Sequence, residues 1–187
     1  MSFSAEVREE LAKHISPARH CQIAELSAIL HFCGQYGQDR DGNLTIGFQT
    51  ENEAVVRKGF TLLKKTYNIE AGIVLNGDIK DGIIDKFGNL SAPVDEIMLK
   101  NTCCQRAFLR GAFLCCGSMS NPQKGYHLEF VCNNISQAKQ LQKMISCFEI
   151  DAKIVFRKKY YVVYIKEGSG IVDLLNVMEA HIALMNL

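Results

Sequence analysis

Two stretches of the chain spell one pattern. Residues 24–37 read AELSAILHFCGQYG and residues 106–119 read RAFLRGAFLCCGSM; laying Leu26 on Leu109 also superposes Ala24 on Ala107 and Gly34 on Gly117, at an offset of 83 residues. A cysteine, Cys33 or Cys116, precedes the closing glycine each time. IEAGIVL at 69–75 matches IDAKIVF at 150–156 at an offset of 81. Such self-similarity marks an internal duplication whose copies must bury their apolar faces against each other. It restricts the chain to one pseudo-symmetric domain: a lead-in helix over 1–19, a first half over 20–100 and a second half over 101–187.

Hydrophobic periodicity supplies the elements. Phe3, Val7, Leu11 and Ile15 recur every four residues, an amphipathic helix ended by Pro17. The segment 21–36 is apolar on most sides and reads as a buried helix, as does 104–117. NLTIGFQT and YHLEFVC alternate as strands; ENEAVVRKGFTLLKKTY and NNISQAKQLQKMISCF return to helical spacing. IEAGIVL reads as a strand, residues 76–95 as a weak strand and a bridging loop, DAKIVFRKKYYVVYIK as two strands around a basic turn, and SGIVDLLNVMEAHIALM as one closing helix. The fold class is α+β, two antiparallel sheets around a central helix pair. Ala24 and Ala28, facing Ala107, Gly111 and Cys115, form small-residue stripes that let those helices approach closely at a pseudo-twofold axis.

Composition narrows the function classes. A net charge of +1 is too low for a strongly basic nucleic-acid binder, so any DNA contact must come from local patches or another domain. No apolar run reaches the roughly 18 residues of a membrane span, and the charged start MSFSAEVREELAKHI lacks a secretion signal; a cytoplasmic chain with reduced thiols is expected. The vicinal pairs Cys103/Cys104 and Cys115/Cys116 lack the two-to-four-residue spacing with which structural zinc sites bring two ligands together. Adjacent helical residues point about 100° apart, so these cysteines read as small buried hydrophobes. His14, His20, His31, His127 and His181 show no paired metal spacing, and Ser118 and Ser120 lack a base partner. No metal and no cofactor are expected.

LRGAFLCCG at 109–117, and more weakly LSAILHFCG at 26–34, resemble the LAGLIDADG motif of homing endonucleases. More closely, MSFSAEVREELAK, RHCQIAELSAIL and CCQRAFLRGAFL followed by GSMSNPQKGYHLEF resemble the N-terminal part of the WhiA family of bacterial transcription regulators. The resemblance covers essentially the whole chain. It implies a duplicated endonuclease-like fold and a role in sporulation and cell division of Gram-positive bacteria, at the nucleoid. It also implies a C-terminal helix-turn-helix domain, lying beyond AHIALMNL, that supplies most of the recognition of double-stranded DNA.

In the nucleases the residue before the closing glycine is an acid that holds divalent metal. Here Cys33 and Cys116 occupy those positions, soft ligands ill-matched to magnesium. No Asp or Glu lies between Glu25 and Asp39 or between Glu96 and Glu129, and Asp39 and Asp41 have no counterpart in the second half. The expectation is a non-enzyme. Arg106, Arg110, Lys124, Arg157, Lys158 and Lys159 are the candidate phosphate contacts, balanced by Glu70, Asp78, Asp81 and Asp85 in the first half. The alternatives are a module for a protein or ligand partner and, less favoured, an active nuclease.

Overall fold

The computed structural model describes residues 1–38, 40–42, 44–68 and 94–187. Ser2 opens α1 (Phe3–Lys13): its side chain accepts from the Ala5 amide, and Val7 and Leu11 face the core. α2 (Arg19–Cys33) is buried along most of its length, as a sequence apolar on most sides requires. It stops at Cys33, and β1 (Gly34–Gln38) begins at once, pairing antiparallel with β2 (Leu44–Phe48) from Gly34 opposite Phe48. The helix expected to run to residue 36 is therefore shorter. Packing sets this end: a Cβ on Gly34 would lie 2.2 Å from the Leu30 carbonyl oxygen, so only glycine fits where the chain straightens. α3 (Glu53–Tyr67) is capped by Asn52, whose side chain accepts from the Ala54 amide, and ends at Asn68 in the left-handed region, φ 57°.

The second half repeats this order. A 3₁₀ turn (Glu96–Leu99) leads to α4 (Thr102–Cys116), and β3 (Gly117–Met119) starts at the glycine. A Cβ on Gly117 would meet the Phe113 ring at 2.3 Å. Gly117 pairs with Phe130 of β4 (Leu128–Cys132), as Gly34 pairs with Phe48. α5 (Ile135–Ser146), β5 (Lys153–Arg157) and β6 (Tyr160–Ile165) follow, giving an antiparallel sheet of order β3-β4-β6-β5. Three residues are too few to show alternation, so β3 carries no periodic signal in the sequence. The strand expected over 69–75, the loop over 76–95 apart from its last two residues, and the acids Glu70, Asp78, Asp81 and Asp85 lie outside the described residues.

The single closing helix expected over 169–185 is two. α6 (Gly168–Val177) ends where Glu179 takes φ 67° and the Ala180 amide closes onto the Leu175 carbonyl at 2.9 Å. α7 (His181–Met185) then turns toward α1, where the Glu10 carboxylate accepts from the Ile182 and Ala183 amides at 2.7 and 2.9 Å.

α2 and α4 lie side by side in the core. A Cβ added at Gly111 would sit 2.6 Å from the Glu25 carbonyl oxygen and 2.8 Å from the Ala28 Cβ. Ala24, Ala28 and Ala107 are fully buried, and the Cys115 thiol donates to the Ile29 carbonyl at 3.7 Å.

Candidate functional site

The two ends of the α2–α4 pair carry different chemistry. At the C-terminal end, Cys33 and Cys116 are each the last helical residue before a strand-opening glycine. Cys33 is 5% exposed. The Cys116 thiol donates to the Ala112 carbonyl at 3.2 Å; its hydrogen bond with Cys132, together with burial, pushes it well above the usual thiol range. Burial, then a hydrogen bond with Cys33, does the same to Cys115. None of these side chains offers an anionic oxygen for a hard cation. Glu51 and Glu53 line a cleft beside Cys115 with Arg8, Thr50 and Asn52. The matching stretch ahead of α5, Cys132–Asn134, holds no acid.

The six candidate phosphate contacts separate. Arg110 is 1% exposed and does not reach solvent: its Nη1 pairs with Glu179 Oε2 at 2.7 Å, its Nη2 donates to Ser16 Oγ at 2.7 Å, and its Nε lies 3.6 Å from Glu25 Oε2. The expectation that it meets DNA is corrected by this burial. Arg106 stacks over the Phe148 ring at 5.5 Å and lines a cleft with His14, Ser16 and Glu179. Lys124, Lys158 and Lys159 are exposed, Lys158 in the left-handed region at the β5–β6 turn. Arg157 is exposed but held by both carboxylate oxygens of Glu129, at 3.1 and 2.9 Å. Burial pushes the Glu129 carboxyl up, yet the hydrogen bonds from Arg157 and His127 outweigh it and hold the group below its ordinary value.

Arg110 belongs to an interior charge cluster. Glu25 is fully buried, and its Oε1 lies 3.0 Å from Lys58 Nζ, which also donates to the carbonyls of Leu11, at 2.9 Å, and of His14. Burial pushes the Glu25 carboxyl up and the Lys58 amine down, opposed by the attraction between them. His14 Nε2 meets Glu179 Oε2 at 3.0 Å; burial, then the Arg110 charge, lowers its pKa. The cluster ties α2, α3 and α4 to the end of α1 and to the left-handed turn at Glu179. The sequence carries one signal: a lone acid at 25 and an arginine at 110, inside helices apolar on most sides, must be paired if buried.

At the N-terminal end of the pair, the structure brings together histidine and cysteine side chains that show no paired spacing in the sequence. One ligand atom from each of His20, Cys21, Cys103 and Cys104 lies within 4.8 Å of the others, with His20 Nε2 and Cys103 Sγ 3.3 Å apart. Spacing within one segment fails because the partners come from both copies. Burial pushes the Cys21 thiol up to about 12 and raises Cys104, whereas hydrogen bonding to His20 lowers Cys103.

Comparison with known proteins accounts for the architecture. The WhiA N-terminal LAGLIDADG-like domain model matches residues 19–78, and the WhiA LAGLIDADG-like domain model matches residues 105–187. "Probable cell division protein WhiA" of Lachnoclostridium phytofermentans is 48% identical over 100% of this chain and 67% of its own length. The Alkaliphilus oremlandii protein of the same name is 41% identical with the same coverage. Among solved structures, full-length WhiA from Thermatoga maritima superposes with a TM-score of 0.69 at 22% identity, covering 100% of this chain and 67% of that one. The homing endonuclease I-DmoI, in complex with DNA and Mn, superposes with a TM-score of 0.63 at 13% identity, over 86% of this chain and 98% of that one. The chain spans about two thirds of the length of these curated relatives and carries the duplicated LAGLIDADG-like fold. It belongs to the WhiA family.

Proposed function

We propose that this chain is the non-catalytic, DNA-associated part of a transcription regulator acting in cell division and sporulation, working at the nucleoid in the cytoplasm. The observation that carries the reading is the pair Cys33 and Cys116: a buried and a half-buried thiol, Cys116 held well above the usual range, stand where the nuclease resemblance calls for carboxylates. Two-metal phosphodiester hydrolysis needs hard oxygen ligands on the attacking and leaving sides. The relatives' name supports the cell-division role, and the DNA-bound endonuclease neighbour supports a duplex as partner. No described helix is long and apolar enough to cross a membrane.

DNA contact through this part is weak and non-sequence-specific in this reading, and specific recognition rests with the helix-turn-helix domain that the family resemblance implies. The test is fluorescence anisotropy with promoter and scrambled duplexes across a salt series. Tight, sequence-selective binding by residues 1–187 would overturn it.

A second reading, a protein-binding face, is favoured by the surface of the four-stranded sheet turned away from the helices. Register places Val131, Val155 and Val162 across that face, Val155 exposed, Val131 half-buried and Val162 covered by its neighbours, flanked by Tyr160 and Tyr164, while its arginine is engaged by Glu129. Crosslinking with cell extract, compared between this chain and a Val155→Glu variant, separates a protein partner from DNA alone.

A further inference from the structure

We infer that His20, Cys21, Cys103 and Cys104 form a closed tetrahedral transition-metal site of the zinc class that joins the first turns of α2 and α4. The duplication itself builds it: an offset of 83 relates His20 to Cys103 and Cys21 to Cys104, so each copy contributes two adjacent residues at the same point of its helix. Vicinal residues on one helix diverge by about 100° and cannot chelate alone. Two helices facing each other convert that divergence into four ligands around one centre.

The geometry is close to what an ion requires. Zinc binds sulfur at about 2.3 Å and imidazole nitrogen at about 2.0–2.1 Å, which places tetrahedral ligand atoms roughly 3.5–3.8 Å apart. The four atoms here already lie within 4.8 Å of one another, and the His20–Cys103 pair at 3.3 Å. Closing the site takes shifts of about 1 Å or less, within reach of side-chain rotation.

Burial and chemistry point the same way. Cys21 and Cys104 would fit as small hydrophobes, but His20 and Cys103 are exposed and have no packing role that needs these residue types. Exposure of those two gives an ion a path in. Three sulfurs and one imidazole are a soft donor set, suited to zinc and unsuited to magnesium or calcium.

Neither Ala18 nor Asn101 caps its helix through a side chain, so first-turn amides at both N-termini remain available to stabilise thiolates. Arg106 lines the same cleft and offsets the single excess negative charge of three thiolates around a dication. Binding releases the thiol protons to solvent, so affinity falls in acid. All four positions are filled by protein, and the site lies at the end of the helix pair opposite Cys33 and Cys116. It is a structural staple between the halves, independent of any DNA role.

The test is cobalt and zinc titration of the reduced, chelator-stripped 187-residue chain. One Co²⁺ per chain should bind with the intense visible bands of tetrahedral cobalt and a thiolate charge-transfer band, and equimolar Zn²⁺ should displace it. Cys103→Ser and His20→Gln alter exposed side chains, so circular dichroism should show both folded, with metal retention reduced at least tenfold. Cys147→Ser, an exposed cysteine outside the cluster, should leave binding unchanged. A folded chain giving only a weak octahedral cobalt spectrum would overturn the proposal, as would undiminished retention in both ligand variants or a cluster that forms only a disulfide.

Discussion

Gly111 and Arg110 are neighbours on α4 with opposite demands. Gly111 has no room for a side chain, because a Cβ would press on the Glu25 carbonyl oxygen at 2.6 Å and on Ala28 at 2.8 Å. Gly111→Val should therefore force the helix pair apart and cost about 3 kcal/mol, the top of the usual overpacking range, read as a lower urea midpoint. Arg110 has room only because its charge is answered on three sides, by Glu25, Glu179 and Ser16. Arg110→Met leaves the buried Glu25 with Lys58 alone and should cost about 3–5 kcal/mol. The same variant should leave the salt dependence of DNA binding unchanged, which distinguishes an interior strut from a phosphate contact.

Among the elements, the β4–β6–β5 sheet carries a cross-strand arrangement that answers to pH. Glu129 sits on β4 with Arg157 on β5, and the two meet in bidentate fashion across β6. The Glu129 carboxyl ionises more readily folded than unfolded, so its contribution is present above its ordinary pKa of 4.5 and is lost as pH falls through the lower folded value. Arg157 is about half exposed, so solvent screening keeps the effect small. Glu129→Gln should lower stability at pH 7 by about 0.5–1 kcal/mol and cost nothing once both states are protonated. Thermal denaturation of both proteins across pH 2–7 checks this. The same variant frees Arg157, and a stronger DNA interaction should follow if the β5–β6 turn faces phosphate.

For the whole molecule, burial of Arg110 and engagement of Arg157 leave Arg106, Lys124, Lys158 and Lys159 as the positive charges that the sequence offered to a duplex. Each phosphate neutralised contributes about 0.9 to the salt slope, so a slope of roughly 2–4 and a Kd of about 10⁻⁴–10⁻⁶ M are expected at physiological salt. Replacing Lys158 and Lys159 together by Gln should lower the slope by about 2. With thiols at 33 and 116, Mg²⁺ or Mn²⁺ should elicit no site-specific cleavage. Supercoiled plasmid is the readout, and nicking that persists through purification and disappears with a Cys116 substitution would restore the nuclease reading.

The duplication, the central apolar helices, the strand alternation at Leu128–Cys132 and the loss of both motif acids are properties of residue order, so the sequence by itself determined the fold class and the expectation of catalytic silence. Periodicity reports how a segment divides apolar from polar surface and is silent about what that segment meets. Only tertiary structure decided that Arg110 turns inward to Glu25, because the partner lies 85 residues away on another helix. The same holds for the break at Glu179, set by the turn that carries α7 to Glu10, and for β3, whose three residues are a strand only because Phe130 and Leu128 lie beside them. His20, Cys21, Cys103 and Cys104 show the reason most plainly: local spacing rules assume that ligands approach from one segment, whereas here two copies of a helix, each unable to chelate alone, bring them together.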